Sequence, residues 1–371
     1  MTTGDLLKAI GDSDIAGAKN LFNEMVQKGD NPWEIHMSLF PVVQWVLNPP
    51  FINPHLPKMY CVYRELMPYL EKDEIPSLIN LEVNEYVKRP KLEKMPKEHP
   101  VLSPVSFNEV ETAIRKQDRE RTAAWMAAFL TQKGGTEFAR RLLLLGSGYL
   151  DQSLGHSISC TVFILREMLE RPDQDPWPAL AVLADYFCKG RFHTTPALRE
   201  INPFPIDEAI KHHMHRATSG LGIVSLHHTI TLYAMERVRH FFNEKEYGHL
   251  INSWIAFMGD KGVKQAILND TKVEPMTRYA QFYELFSAME IKPLMARAEK
   301  MIISSQGRQN LGRFLIKGLC DKYNRNYNPH YLTGLGSALW IVNHYWNQGS
   351  LAINALFQYV SFYFDSMKSE N

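Results

Sequence analysis

This sequence predicts an all-α protein, a multi-helix bundle or a stack of helical hairpins with about fifteen or more helices and no substantial β-sheet. Three observations carry that expectation. Apolar residues recur at intervals of three and four, capping residues and glycines punctuate the runs, and alternating strand patterns are scarce. With 371 residues, 45% apolar and 11% aromatic, the chain can bury a substantial core, which excludes disorder as a whole.

The elements follow in order. "DLLKAIGDSDIAGAKNLFNEMVQKG" sets Leu6, Leu7 and Ile10, then Ala16, Ala18, Leu21, Phe22 and Met25, on helical spacings, with a turn and an N-cap at Gly11–Asp14 between them. That reads as a helical hairpin. "YVKRPKLEKMPKEHPVLSPVSF", residues 86–107, places four prolines among charges and reads as a linker or a long loop. "TAAWMAAFLTQKGG" ends on the Gly-Gly that stops a helix, and "TEFARRLLLLGSGYL" follows as the next.

Further helical runs are expected at Gly155–Leu169, Trp177–Cys188, Gly220–Phe242, Tyr247–Phe257, Met276–Met289, Pro293–Ser304, Gln309–Cys320, Tyr331–Trp346 and Leu351–Met367. A second irregular piece, "GRFHTTPALREINPFPID", joins two of them. The expected division is 1–85 as N-terminal helical hairpins, 86–107 as the proline-rich segment, and 108–371 as the main helical domain. One continuous domain over 1–371 is the alternative.

Charge excludes some classes of partner. The 41 basic and 40 acidic residues are interspersed and leave a formal net charge of +1, which offers no footprint for nucleic acid. Cys61, Cys160, Cys188 and Cys320 form no CxxC pair and read as free thiols of a reducing compartment. The N-terminus lacks a basic start followed by an apolar stretch, and no uncharged apolar run reaches about 18 residues. No membrane span and a cytoplasmic location are expected.

The histidines carry the chemical signal. Asn-Pro-His occurs at "FINPHLPKMY" and again at "NYNPHYLTGLG". Asparagine is a good N-cap and proline suits the first helical turn, so His55 and His330 should open helices. The positive end of a helix disfavours imidazolium, which leaves neutral rings able to accept a hydrogen bond or ligate a metal. His156, after Ser153 and Gly155, has a comparable setting.

Small or hydroxyl residues follow one turn later: Ser159 and Cys160 after His156, Thr231 after His228, Thr333 and Gly334 after His330. His55 has Lys58 and Met59 there, which weakens its case. His156, His228 and His330 are therefore the candidate catalytic residues or metal ligands around a histidine-lined interior cavity. Tyr149, Cys160, Thr231, Thr333, His55 and His193 are the candidate substrate contacts. Sequence does not separate acid/base use from metal ligation.

Other motifs add little. "TSGLGIVSLHH" and "LTGLGSALWIV" share Gly-Leu-Gly ahead of an apolar helix, which reads first as close helix packing. Neither is a dinucleotide fingerprint, since GxGxxG is absent. Glu246-x-x-His249 is half of a di-iron pattern and, in the polar "NEKEYGHLI", reads as surface. "KHHMHR" also reads as a solvated helix face, and no GxSxG elbow occurs.

"NPHLPKMYCVYREL", "LGHSISCTVFILREM", "HTTPALRE" and "LHHTITLYAME" together resemble the questin oxidase-like family of helical natural-product tailoring proteins, over residues 50–345. The resemblance implies an oxidoreductase of secondary metabolism that performs an oxidative or ring-forming reaction on a flat aromatic molecule, with a metal ion, NADPH or molecular oxygen. The contrasting expectation is a non-catalytic helical-repeat scaffold or a ligand- or haem-binding protein with one axial histidine. No fixed repeat period runs through the chain, which counts against a solenoid. A homodimer is left open.

Overall fold

The computed structural model describes residues 2–96, 104–198, 205–259, 273–322 and 328–368. Among them the chain forms twenty α-helices and three short 3-10 turns, and no β-strand. Backbone pairing outside the helices includes two isolated bridges, Val46 with Lys91 and Asn48 with Phe51. The fold is all-α. Residues 97–103 of the proline-rich segment and 199–204 of the second irregular piece lie outside the described residues.

The helices gather into two compact units, each drawing on residues before and after the proline-rich segment. One comprises Met1–Cys61, Glu82–Ile206 and Ala234–Phe257; the other comprises Val62–Leu81, Asp207–Tyr233 and Met258–Asn371.

The first unit opens with the hairpin read from sequence, Thr3–Gly11 and Ile15–Gln27, capped by Thr2 and Asp14. At its centre the helix His156–Glu170 crosses Gly135–Ser147 at very short range. A Cβ placed on Gly146 would stand 2.6 Å from the Ser157 carbonyl oxygen, so only glycine allows this approach. Ser157 Oγ donates to the Gly146 carbonyl at 2.8 Å and fixes the crossing.

The helix His55–Leu66 runs parallel to His156–Glu170. Three successive contacts climb both together: His55 with His156, Lys58 with Ser159, and the Cys61 thiol with the Phe163 carbonyl. The Glu246–His249 pair also belongs to this unit and corrects the surface reading. His249 is fully buried, with Nε2 3.1 Å from Ser147 Oγ, and Glu246 pairs with Arg140. "NEKEYGHLI" is polar on one side only, and Tyr247, Leu250 and Ile251 turn the other side inward.

In the second unit His330–Tyr345 and Ser350–Lys368 form an antiparallel pair. Gly334 is the close-packing glycine: a Cβ there would meet Leu226 at 2.9 Å and Tyr359 at 3.1 Å. A buried polar cluster sets the helix Gly222–Arg237 against this pair. Thr229 Oγ1 lies 3.2 Å from Gln358 Oε1 and 3.4 Å from Ser337 Oγ, while Gln358 Nε2 donates to the Ala217 and Gly220 carbonyls. The cluster sets the helix that carries His227 against the one that carries His330.

Candidate metal centre

Four buried histidines meet in two pairs. His55 Nε2 lies 2.7 Å from His156 Nε2, and His227 Nε2 lies 2.9 Å from His330 Nε2. The rings of each pair cross edge to face with centroids 4.6 Å apart.

Local structure aims each ring. His156 follows Leu154 and Gly155, both left-handed, and its Nδ1–H donates 2.8 Å to the Ser153 carbonyl. His330 is capped as Asn-Pro-His suggests: Asn328 Oδ1 accepts both the backbone N–H, at 3.0 Å, and Nδ1–H, at 2.7 Å. The first Asn-Pro-His differs, since the N–H of His55 donates to the Asn53 carbonyl. His227 Nδ1–H donates 2.7 Å to the Ile223 carbonyl of its own helix.

These partners decide the tautomers. A carbonyl or amide oxygen only accepts, so His156, His227 and His330 carry their proton on Nδ1 and present a lone pair at Nε2. In the pair of His227 and His330 two lone pairs therefore face each other at 2.9 Å. A cation between them, or an extra proton making one ring imidazolium, relieves that arrangement. Both rings are buried, and His330 opens its helix, where the positive end of the macrodipole opposes imidazolium.

His55 is arranged differently. Arg89 Nη1 donates to Asn48 Oδ1 at 2.9 Å and fixes that amide, whose Nδ2 points at His55 Nδ1 from 3.4 Å. This long contact favours Nε2–H, which donates to the His156 lone pair. A metal at this pair would require the His55 proton to move to Nδ1.

Two nitrogens held about 2.1 Å from one ion stand roughly 3.0 to 3.4 Å apart, from octahedral to tetrahedral angles. The pairs are already near that spacing. Imidazole nitrogens are donors for zinc, copper and iron, and Nδ1 partners of this kind are what hold a ligating ring in place.

The remaining sequence candidates divide. His228 is buried beside His227 on the same helix, and it is His227 that pairs with His330. Thr231 Oγ1 donates to the His227 carbonyl and Thr333 Oγ1 to the Pro329 carbonyl, so each hydroxyl proton is held by its own helix. Cys160 is a buried thiol, pushed up to about 11 by burial and therefore un-ionised. Tyr149 and His193 sit together elsewhere: the Tyr149 hydroxyl accepts the backbone N–H groups of His193 and Thr194, and His193 Nδ1 donates to the Arg191 carbonyl. They shape a loop.

Two residues were not selected from sequence. His227 had a legible signal, since Thr231 stands four residues after it as well as three after His228. Lys58 had none, because a lone lysine in "PHLPKMYCVY" reads as solvated; it is fully buried. Among the described residues no helix is long and apolar enough to cross a membrane. No family model matches the chain, and neither does any curated protein or solved structure.

Proposed function

We propose that His227 and His330 bind one redox-active first-row transition ion, iron or copper, and that the protein oxidises a hydrophobic aromatic small molecule at this centre. The observation that carries the metal is the pair of lone pairs facing each other between His227 and His330. Neutral imidazoles leave the ion its full positive charge, which suits activation of oxygen or of an oxygen-bearing substrate. The resemblance to questin oxidase-like proteins supplies the choice of a redox ion, the aromatic substrate, and NADPH or molecular oxygen as co-reactant.

The test is elemental analysis of untagged protein purified without metal columns or chelators. About one iron or copper per chain is expected, lost in His227→Ala and in His330→Ala. Zinc at that stoichiometry would keep the centre and remove the redox role. Absence of a stoichiometric metal would sink the reading and leave two proton-sharing histidine pairs.

A further inference from the structure

Met37 stands in the last turn of the short helix Pro32–Ser38. The sequence holds 16 methionines, and among the described ones Met37, Met289 and Met367 are those that are not buried. What sets Met37 apart is the partner of its sulfur. Arg171 Nη2 donates to Met37 Sδ at 2.9 Å, and Arg171 Nη1 donates to the Met37 carbonyl, also at 2.9 Å. The Tyr60 hydroxyl stands 3.9 Å from the same sulfur. Met37, Tyr60 and Arg171 all belong to the first unit.

Arg171 is fixed by more than the methionine. It follows the last turn of the helix His156–Glu170, and its Nε pairs with Glu167 at 2.6 Å. Nη2 also donates to the Tyr60 oxygen at 2.6 Å, and the guanidinium lies over the Phe40 and Tyr60 rings at 5.3 and 5.7 Å. Arg171 is 8% exposed and Tyr60 is fully buried. A planar fork held this way aims its remaining N–H in one direction, and a thioether is a weak acceptor for it. The spacing of 2.9 Å is that of an N–H bond to oxygen.

We propose that Met37 is a site of reversible oxidation by peroxide, and that Arg171 Nη2 holds the sulfoxide oxygen. Nη2 covers one of the two sulfur lone pairs, so hydrogen peroxide meets the other. That lone pair takes one oxygen: the O–O bond breaks, an S–O bond forms, and the departing hydroxide leaves as water with the proton of the transferred oxygen. Sulfur loses two electrons and peroxide gains them. Rotation of the flexible, part-exposed side chain then turns the new oxygen to Nη2. A polar sulfoxide disrupts an apolar core, whereas here a strong acceptor replaces a weak one on a charged donor.

The test uses the full folded chain carrying Met289→Leu and Met367→Leu, treated with dilute hydrogen peroxide and mapped by peptide mass spectrometry. Met37 is expected to gain one oxygen while the buried methionines stay unmodified. Digested peptides are then offered to the two sulfoxide reductases, each specific for one epimer, and one of them should restore most of the Met37 peptide. The oxidised protein should melt about 1–3 °C above the untreated protein, the shift expected of one added bond to a charged donor. Adding Met37→Leu should abolish that rise.

No uptake at Met37 under conditions that oxidise Met289 and Met367 in the wild type overturns the proposal. So do equal amounts of the two epimers, which would mean that both lone pairs are open. A melting temperature unchanged or lowered by oxidation would show that Arg171 does not hold the oxygen, and a rise that persists in Met37→Leu would assign the effect elsewhere; either result sinks the idea.

Discussion

Arg313 grips both carboxylate oxygens of Glu74, Nε on one and Nη2 on the other, each at 2.8 Å. Lys317 adds a further contact to the same carboxylate. Burial alone would raise the Glu74 pKa, and the hydrogen bonds from Arg313 and Lys317 outweigh it and hold the group at about 2. A carboxylate depressed on folding stabilises the protein above its unfolded value of 4.5 and loses that contribution as pH falls toward 2. Both cations are about one-third exposed, so the contribution is discounted for screening to on the order of 1–2 kcal/mol. Urea midpoints measured at pH 7 and pH 3 should fall further for the wild type than for Glu74→Gln.

Lys58 gives a slope of the same sign in a higher pH range. Burial lowers its pKa from the usual 10.5. Between the lowered folded pKa and the unfolded value of 10.5 the unfolded chain holds a proton that the folded one lacks, so stability rises with pH across that window. Lys58→Met removes the slope and should stabilise the protein at pH 7 by about 1–3 kcal/mol, the range for an under-satisfied buried polar group. Parallel denaturation curves for the two proteins between pH 7 and pH 10 decide it; equal slopes would mean that Lys58 is charged inside the fold.

The contact at Gly146 is a third point of test. A methyl group there must push against the Ser157 carbonyl, an atom of backbone that cannot swing aside. Gly146→Ala is expected to cost about 2–4 kcal/mol by moving the His156 helix. Urea midpoints of Gly146→Ala and wild type measure that cost, and an unchanged midpoint would mean that the crossing relaxes freely.

Metal binding by the folded state alone predicts a fourth behaviour. Ion present at about a hundredfold over its dissociation constant stabilises by roughly 2.7 kcal/mol. Chelator treatment should lower the melting temperature of the wild type and leave those of His227→Ala and His330→Ala unmoved. A chelator effect of equal size in all three would place the ion elsewhere.

The helices were legible in the sequence because their apolar intervals and caps are local properties. So was the role of Asn328, since a cap needs only its own next residues. The choice between His227 and His228 was not legible. The helix Gly222–Arg237 is flanked by buried residues on nearly every side, so no polar face says which way is out. His55 was discounted because Lys58 follows it by one turn, and that inference assumed a solvated lysine. Both residues face a second helix whose start lies a hundred residues further on, and no local pattern encodes that meeting.

The parallel run of His55–Leu66 beside His156–Glu170 limits which changes in chain length this protein can accept. Histidine meets histidine, lysine meets serine and thiol meets carbonyl at successive turns of both helices. Residues gained or lost between Leu66 and His156 leave all three meetings possible, provided the intervening helices still pack. A single residue inserted between His55 and Lys58, or between His156 and Ser159, rotates everything on one side of it by about 100°. Point substitutions there remove one contact each. One added residue dismantles the whole series, so the two short windows are where insertions and deletions should be least tolerated.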